Sequence, residues 1–268
     1  MVTRLQKIIV DKPWGRTDIP RDFGDFGHRR VGEIWFSHPA FADAPIMVKF
    51  LFTSERLSVQ VHPDDAAARA AGYPRGKEEC WLVLRAEPDA ELGVGLTSET
   101  TRETLRDAAL DGTIVDMIDW RRAKAGDFVY NRAGTIHALG AGLTVVEVQQ
   151  NVDCTYRLYD YGRPRELHLD DGLSVAETGP RPDARDGAVN DAENRLLVAG
   201  PHFNLLHLSG PVAKAFLPKV KGDFLFTPLS QGCTVMGEGL RLGECAAMDE
   251  ATGIALDQGA RALLSWPA

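Results

Sequence analysis

Residues 124–162 read KAGDFVYNRAGTIHALGAGLTVVEVQQNVDCTYRLYDYG. Short runs rich in Val, Tyr, Phe and Thr are cut by the turn signals AGD, RAGT and GAG. That spacing is too short for helices and predicts antiparallel strands folded into a sandwich or barrel. The same punctuation recurs upstream and downstream. IMVKFLFTSERLSVQV (46–61) reads as two strands joined by the polar turn TSER, and ECWLVLRA (79–86) as another strand. The tail, LLVAGPHFNLLHLSG (196–210) through GARALLSWPA (259–268), returns to short strands separated by Gly.

Two stretches break this pattern with helix signals. In HPDDAAARAAG (62–72), Asp64 is an N-cap, the alanines are helix formers and Gly72 is a stop. TSETTRETLRDAALDG (97–112) opens on Ser or Thr caps and ends at Gly112, and TIVDMIDWRRA is expected to follow as a second short helix. SVAETGPRPDARDGAVNDAEN (174–194) is acidic, carries Gly and Pro and lacks a period, as a linker or crossing segment does. The expected class is therefore mostly β. An N-terminal lobe over 1–173 carries a small helical insertion at about 98–120, 174–194 crosses over, and a C-terminal lobe spans 195–268.

Length and charge narrow the function classes. The 268 residues suffice for one large domain or two modest ones, and 44% hydrophobic with 25% charged is an ordinary globular mix. A net charge of −8 argues against a nucleic-acid partner but leaves room for an anionic small molecule held by local lysines and arginines. No apolar stretch approaches the ~20 residues of a membrane span, and the start MVTRLQKIIVDKPWG has no signal-peptide core. A cytoplasmic location is expected, with no membrane partner. Cys80, Cys154, Cys233 and Cys245 are scattered and read as free thiols.

Chemistry concentrates in LSVQVHPDD (57–65). Period two puts Leu57, Val59 and Val61 on one face and Ser58, Gln60 and His62 on the other. A lone strand histidine is more often structural than ligating. Here, however, Glu79 stands at the start of an apolar strand, where a carboxylate needs a partner, and His137 follows a Gly-containing turn that can aim its ring. Gln60, His62, Glu79 and His137 form an N/O set suited to zinc with room for water or substrate, a catalytic rather than a structural pattern.

A second polar group lies in TVVEVQQNVDCTYRLYDYGRPRE. Alternation places Glu147, Gln149, Asn151 and Asp153 together, and Arg157 with them if the strand runs on unbroken. Glu147 is a candidate acid/base and Arg157 an anion or oxyanion clamp, or the two form a structural ion pair. Taken singly, Lys49 and Lys77 read as surface lysines.

Together, PIMVKFLFTSERLSVQVHPDD, GKEECWLVL, AGTIHALG and VVEVQQNVDCTYRLYDYGRPRELH, with KPWG and VGEIWF upstream, resemble type I mannose-6-phosphate isomerase in its short bacterial form. The resemblance runs from about Lys12 to His168 in the expected order. It implies a bicupin, two antiparallel β-barrel lobes of the cupin superfamily. It also implies one zinc ion per chain on Gln60, His62, Glu79 and His137, other divalent metals being possible. The active-site arginine becomes Arg157, the substrate-site lysines Lys49 and Lys77, and the further carboxylate Glu147. The implied activity is metal-dependent interconversion of mannose 6-phosphate and fructose 6-phosphate through an enediol(ate), by a monomer or weak homo-oligomer.

Two alternatives remain: a cupin isomerase for another sugar or sugar phosphate, or a sugar-binding cupin without turnover. The chain departs from longer relatives where they carry histidine before the lysine of HKPE, for here Gly76 precedes Lys77. NRAGT stands for VPAGT and QNVD for QNSD, so Arg132 and Val152 are expected at the pocket rim. The C-terminal lobe, with His202 and His207 but no Gln-x-His strand, reads as metal-free and structural.

Overall fold

The computed structural model describes residues 2–37 and 43–268. It is mostly β, built from antiparallel strands, and its contacts resolve two compact units. One comprises residues 53–145 and 149–186, and the other 1–52, 146–148 and 187–268. The sequence expectation is lobes over 1–173 and 195–268 joined by 174–194, whereas these units group segments distant in sequence. Val2–Arg4 pairs with Ala246–Met248, so the first strand joins the sheet of the C-terminal lobe rather than the lobe that follows it in sequence.

The first unit carries a five-stranded sheet in the order Tyr156–Tyr159, Val59–Val61, His137–Leu139, Glu91–Leu96, Ile118–Arg122. A second antiparallel pair joins Glu79–Ala86 to Asp127–Asn131, with Glu79 opposite Asn131. Val59, Val61, Leu96, Ile136, Ala138 and Leu158 pack into one apolar cluster with the helical insertion, which contributes Leu105, Ala108 and Ala109.

The helix signals hold where caps specify them. Helix Asp65–Ala70 starts on Asp64, whose carboxylate accepts the Ala67 N–H. Helix Arg102–Asp111 starts on Thr101 and stops at Gly112, which takes the left-handed conformation at φ +89°. The expected second helix is cut short. Ile114–Met117 makes barely a turn before Ile118–Arg122 enters the sheet beside Glu91–Leu96, because Ile118 and Trp120 are needed there as packing strand residues. The segment expected to link the lobes begins inside a helix, Leu169–Val175, packed on the same cluster through Leu173.

The other unit holds a six-stranded antiparallel sheet running Val2–Arg4, Ala246–Met248, Phe224–Pro228, Arg261–Pro267, Phe203–Ser209, Arg195–Ala199. Leu206, Leu208, Phe224, Phe226, Ala262 and Leu264 form its core face. Gln6–Arg16, Val31–Ser37 and Ile46–Phe52 form an antiparallel set in the same unit. Phe23 packs edge-on against Phe50 and Phe52 at 5.1 and 4.9 Å between ring centroids. All four cysteines are free and buried, and among the described residues no helix is long and apolar enough to cross a membrane.

Candidate metal centre

Strand register assembles the site. His137 lies opposite Gln60, and Gln60 lies opposite Arg157. Directly opposed residues project to the same face, so three strands distant in sequence present one row: His137, Gln60, Arg157. His62, one residue past its strand, and Glu79, first residue of the neighbouring pair, complete the cluster. His62, Glu79 and His137 are each 1% exposed, and one ligating atom from each falls within 4.8 Å of the others.

Hydrogen bonds fix which nitrogen each imidazole offers. His62 Nδ1 lies 3.0 Å from the Cys154 carbonyl, and His137 Nδ1 lies 2.8 Å from the Thr135 carbonyl. A carbonyl only accepts, so each Nδ1 carries a proton and each Nε2 is the nitrogen turned inward. His62 Nε2 then meets Glu79 Oε2 at 3.4 Å, and His137 Nε2 meets Glu79 Oε1 at 3.3 Å.

The His62 contact is not an ion pair. Burial first, and then the nearby Lys77 ammonium, push the His62 pKa down to about 3, leaving it neutral at pH 7. Burial pushes the Glu79 pKa up, but opposing charge, chiefly Lys77 with its ammonium 3.2 Å from Oε2, outweighs this and holds the carboxyl ionised. A neutral His62 lone pair thus faces a carboxylate oxygen, acceptor against acceptor. Among the described residues His62 Nε2 and Glu79 Oε2 have no hydrogen-bond partner, and the Lys77 contact with Oε2 lacks hydrogen-bond geometry.

A cation relieves that frustration, and the spacing suits zinc. Bonds of ~2.0–2.1 Å at tetrahedral angles separate neighbouring donor atoms by about 3.3–3.4 Å. Gln60 lies beside the cluster. Its Nε2 stands 3.1 Å from His137 Nε2, and a half-turn of the amide exchanges that nitrogen for Oε1.

The remaining candidates divide between the two units. Lys49 and Lys77 are buried at 7% and 6% exposure, so the surface reading of each is wrong. Each is interior because it pairs with a buried carboxylate: Lys77 with Glu79, and Lys49 with Glu147 at 2.9 Å. The expected continuous strand through Arg157 is broken. Leu143–Gln150 ends before residue 151, and Arg157 belongs to a separate strand. Arg157 donates to the Glu166 carbonyl at 2.7 Å, and its backbone N–H donates to His168 Nδ1 at 3.2 Å. Burial and then neighbouring Arg165 work against its cation, while Asp160 and Glu166 support it. Arg132 is held by Asp183, 3.2 Å from its Nε, and Val152 packs on the apolar cluster.

Sequence reasoning missed Asn131, whose Nδ2 donates to Glu79 Oε1 at 3.0 Å. A signal was present, since asparagine is disfavoured within a strand run such as DFVYN. The carbonyls of Cys154 and Thr135 had no signal, because a backbone acceptor can come from any residue.

No family model matches the chain. It is 31% identical over 251 residues to the mannose-6-phosphate isomerase of Streptococcus mutans serotype c, covering 78% of this chain and 79% of that one. Among solved structures, the mannose 6-phosphate isomerase from Bacillus subtilis superposes with a TM-score of 0.79 at 22% identity, over 98% of this chain and 99% of that one. A zinc-bound mannose 6-phosphate isomerase superposes at 0.70 with 12% identity, over 99% of both chains.

Proposed function

The chain belongs to the mannose-6-phosphate isomerase family, and on that premise we propose how its residues divide the work of the reaction. The activity is interconversion of mannose 6-phosphate and fructose 6-phosphate, an aldose–ketose isomerisation. The observation that carries the reading is the convergence of two imidazole Nε2 atoms and an ionised carboxylate, all buried and spaced at 3.3–3.4 Å. His62, Glu79 and His137, with Gln60 through its amide oxygen, would hold one zinc ion per chain. Such a donor set also admits cobalt, manganese or nickel. Bound there, zinc supplies Lewis-acid polarisation of the sugar oxygens.

The chain's own residues do the rest. Arg157, on the face shared with Gln60 and His137, is the electrostatic partner for negative charge developing on the enediol(ate) or carried by the phosphate. Lys77, beside Glu79, offers an ammonium at the edge of the same cluster. Lys49 and Glu147 form a buried pair across which a proton can be held, and they are the candidates for transfer between C1 and C2. Both lobes are read as cupin barrels, and the enzyme as cytoplasmic and monomeric or weakly oligomeric.

The test is a coupled isomerase assay on chelated protein with metals added back singly, run across mannose, glucose and pentose phosphates. Activity on mannose 6-phosphate that disappears on chelation and returns with zinc is the expected result. Turnover unaffected by exhaustive chelation would remove the metal from the reading. Preference for another sugar phosphate would move the substrate.

A further inference from the structure

We propose that Gln150 is a positioning residue that sets the Lys77 ammonium in place. The inference rests on the reading above, in which Lys77 serves the substrate.

Residues 76–78 have no regular structure, yet they carry a lysine that is buried beside Glu79. No strand ladder fixes this backbone, so other groups must. Gln150 closes a strand on the face of Val146 and Val148, where alternation calls for an apolar residue, and it is 4% exposed. Its side chain is used at both ends. Oε1 accepts the Glu78 N–H at 2.9 Å, and Nε2 donates to Asp65 Oδ1 at 3.0 Å. Its main-chain N–H donates to the Glu78 carbonyl at 3.0 Å.

The same Asp65 Oδ1 accepts the Gly76 N–H at 2.9 Å. Lys77 is therefore gripped on both flanks by one amide and one carboxylate oxygen, and its own N–H donates to the Pro63 carbonyl at 3.0 Å. Glu79 is held independently, by pairing with Asn131 in its strand and by the Asn131 amide. Loss of the Gln150 side chain thus removes the side-chain anchor on the Glu78 flank of the lysine and leaves the hold of Asn131 on Glu79 in place.

The experiment compares Gln150→Ala and Gln150→Met with the parent and repeats each substitution in a Lys77→Met background. The readouts are kcat and KM for mannose 6-phosphate, bound zinc, and backbone hydrogen exchange of residues 75–80 in the chelated protein. Expected are a loss of about tenfold or more in kcat/KM, unchanged zinc stoichiometry and faster exchange at residues 76–78. In the Lys77→Met background the same substitution should change kcat/KM by less than about twofold, since its route of action is already gone. An equal loss in both backgrounds, or exchange at 76–78 that does not change, overturns the proposal. Gln150→Met, matched in length, keeps the test open if truncation impairs folding. If the parent chain does not isomerise the sugar phosphate, the functional reading fails, and the exchange measurement alone still decides whether Gln150 fixes the segment.

Discussion

Replacing Lys77 with methionine should destabilise the metal-free protein far more than the zinc-loaded one. Lys77 Nζ stands 3.2 Å from Glu79 Oε2, with side-chain exposures of 7% and 1%. At that distance and an effective dielectric of about 20, the attraction is worth about 5 kcal/mol before desolvation is counted. Removing one member of a buried pair costs roughly 3–5 kcal/mol because the other charge is stranded. Here the stranded group would be a carboxylate already facing the neutral His62 lone pair.

In the chelated protein, that loss corresponds to a drop in melting temperature of roughly 6–20 °C for a chain of this size class. With zinc bound, a doubly charged cation neutralises Glu79 directly, so most of the gap should close. The variant should also bind zinc at least as tightly as the parent, since a neighbouring positive charge has gone. The assay is thermal unfolding of parent and variant, each chelated and zinc-saturated, with competitive zinc titration. Equal destabilisation in both states would refute the argument, because it would mean that Lys77 does not stand in for the cation's charge.

Three other substitutions probe other parts of the structure. Asn131→Leu removes the donor to Glu79 Oε1 and should weaken zinc binding roughly 10–100-fold, read by chelator competition. Arg157→Ala should lower kcat by about 100-fold or more while zinc stays at one per chain, and parallel loss of both would contradict its electrostatic role. His207 is pushed below its ordinary pKa by burial, with Nδ1 on the Glu193 carbonyl and Nε2 lacking a hydrogen-bond partner. The unfolded chain therefore takes up this proton first as pH falls. The stability involved is intact above the ordinary histidine pKa and is lost as pH drops from there towards the folded value. Urea midpoints at pH 7 and pH 5 should accordingly draw together in His207→Asn.

The strands, caps and the members of the candidate cluster were legible because each is written locally. Asp64 and Thr101 cap as their positions predict, and Gln60, His62, Glu79 and His137 lie in short motifs. Long-range register was not legible. Nothing near Arg157 announces that it stands opposite Gln60, because the break after Gln150 erased the alternation used to place it. The burial of Lys49 and Lys77 was hidden for the same reason: a lysine's interior position depends on a carboxylate brought to it by the fold. The membership of Val2–Arg4 in the C-terminal sheet depends on a partner over two hundred residues away.

Gly76 shows how close packing decides a residue that sequence pattern could only mark as unusual. A Cβ there would lie 2.4 Å from the Asp64 carbonyl carbon, 2.5 Å from Asp65 N and 2.7 Å from Pro63 O. All three are backbone atoms at the start of the helix that Asp64 caps, so no rotamer change can make room. Gly76→Ala should therefore push residues 76–78 away from Asp65, lengthening the Gly76–Asp65 and Lys77–Pro63 hydrogen bonds of 2.9 and 3.0 Å. Overpacking of this kind costs about 1–3 kcal/mol, offset by about 0.4–1 kcal/mol from the less flexible unfolded chain. Stability should fall modestly while kcat/KM falls more, because the displaced segment carries Lys77. A histidine at this position meets the same backbone and demands a different path for the loop, so Gly76→His should be worse than alanine on both measures. If Gly76→His matched the parent in melting temperature and turnover, the close approach of this loop to the helix would not be what selects glycine.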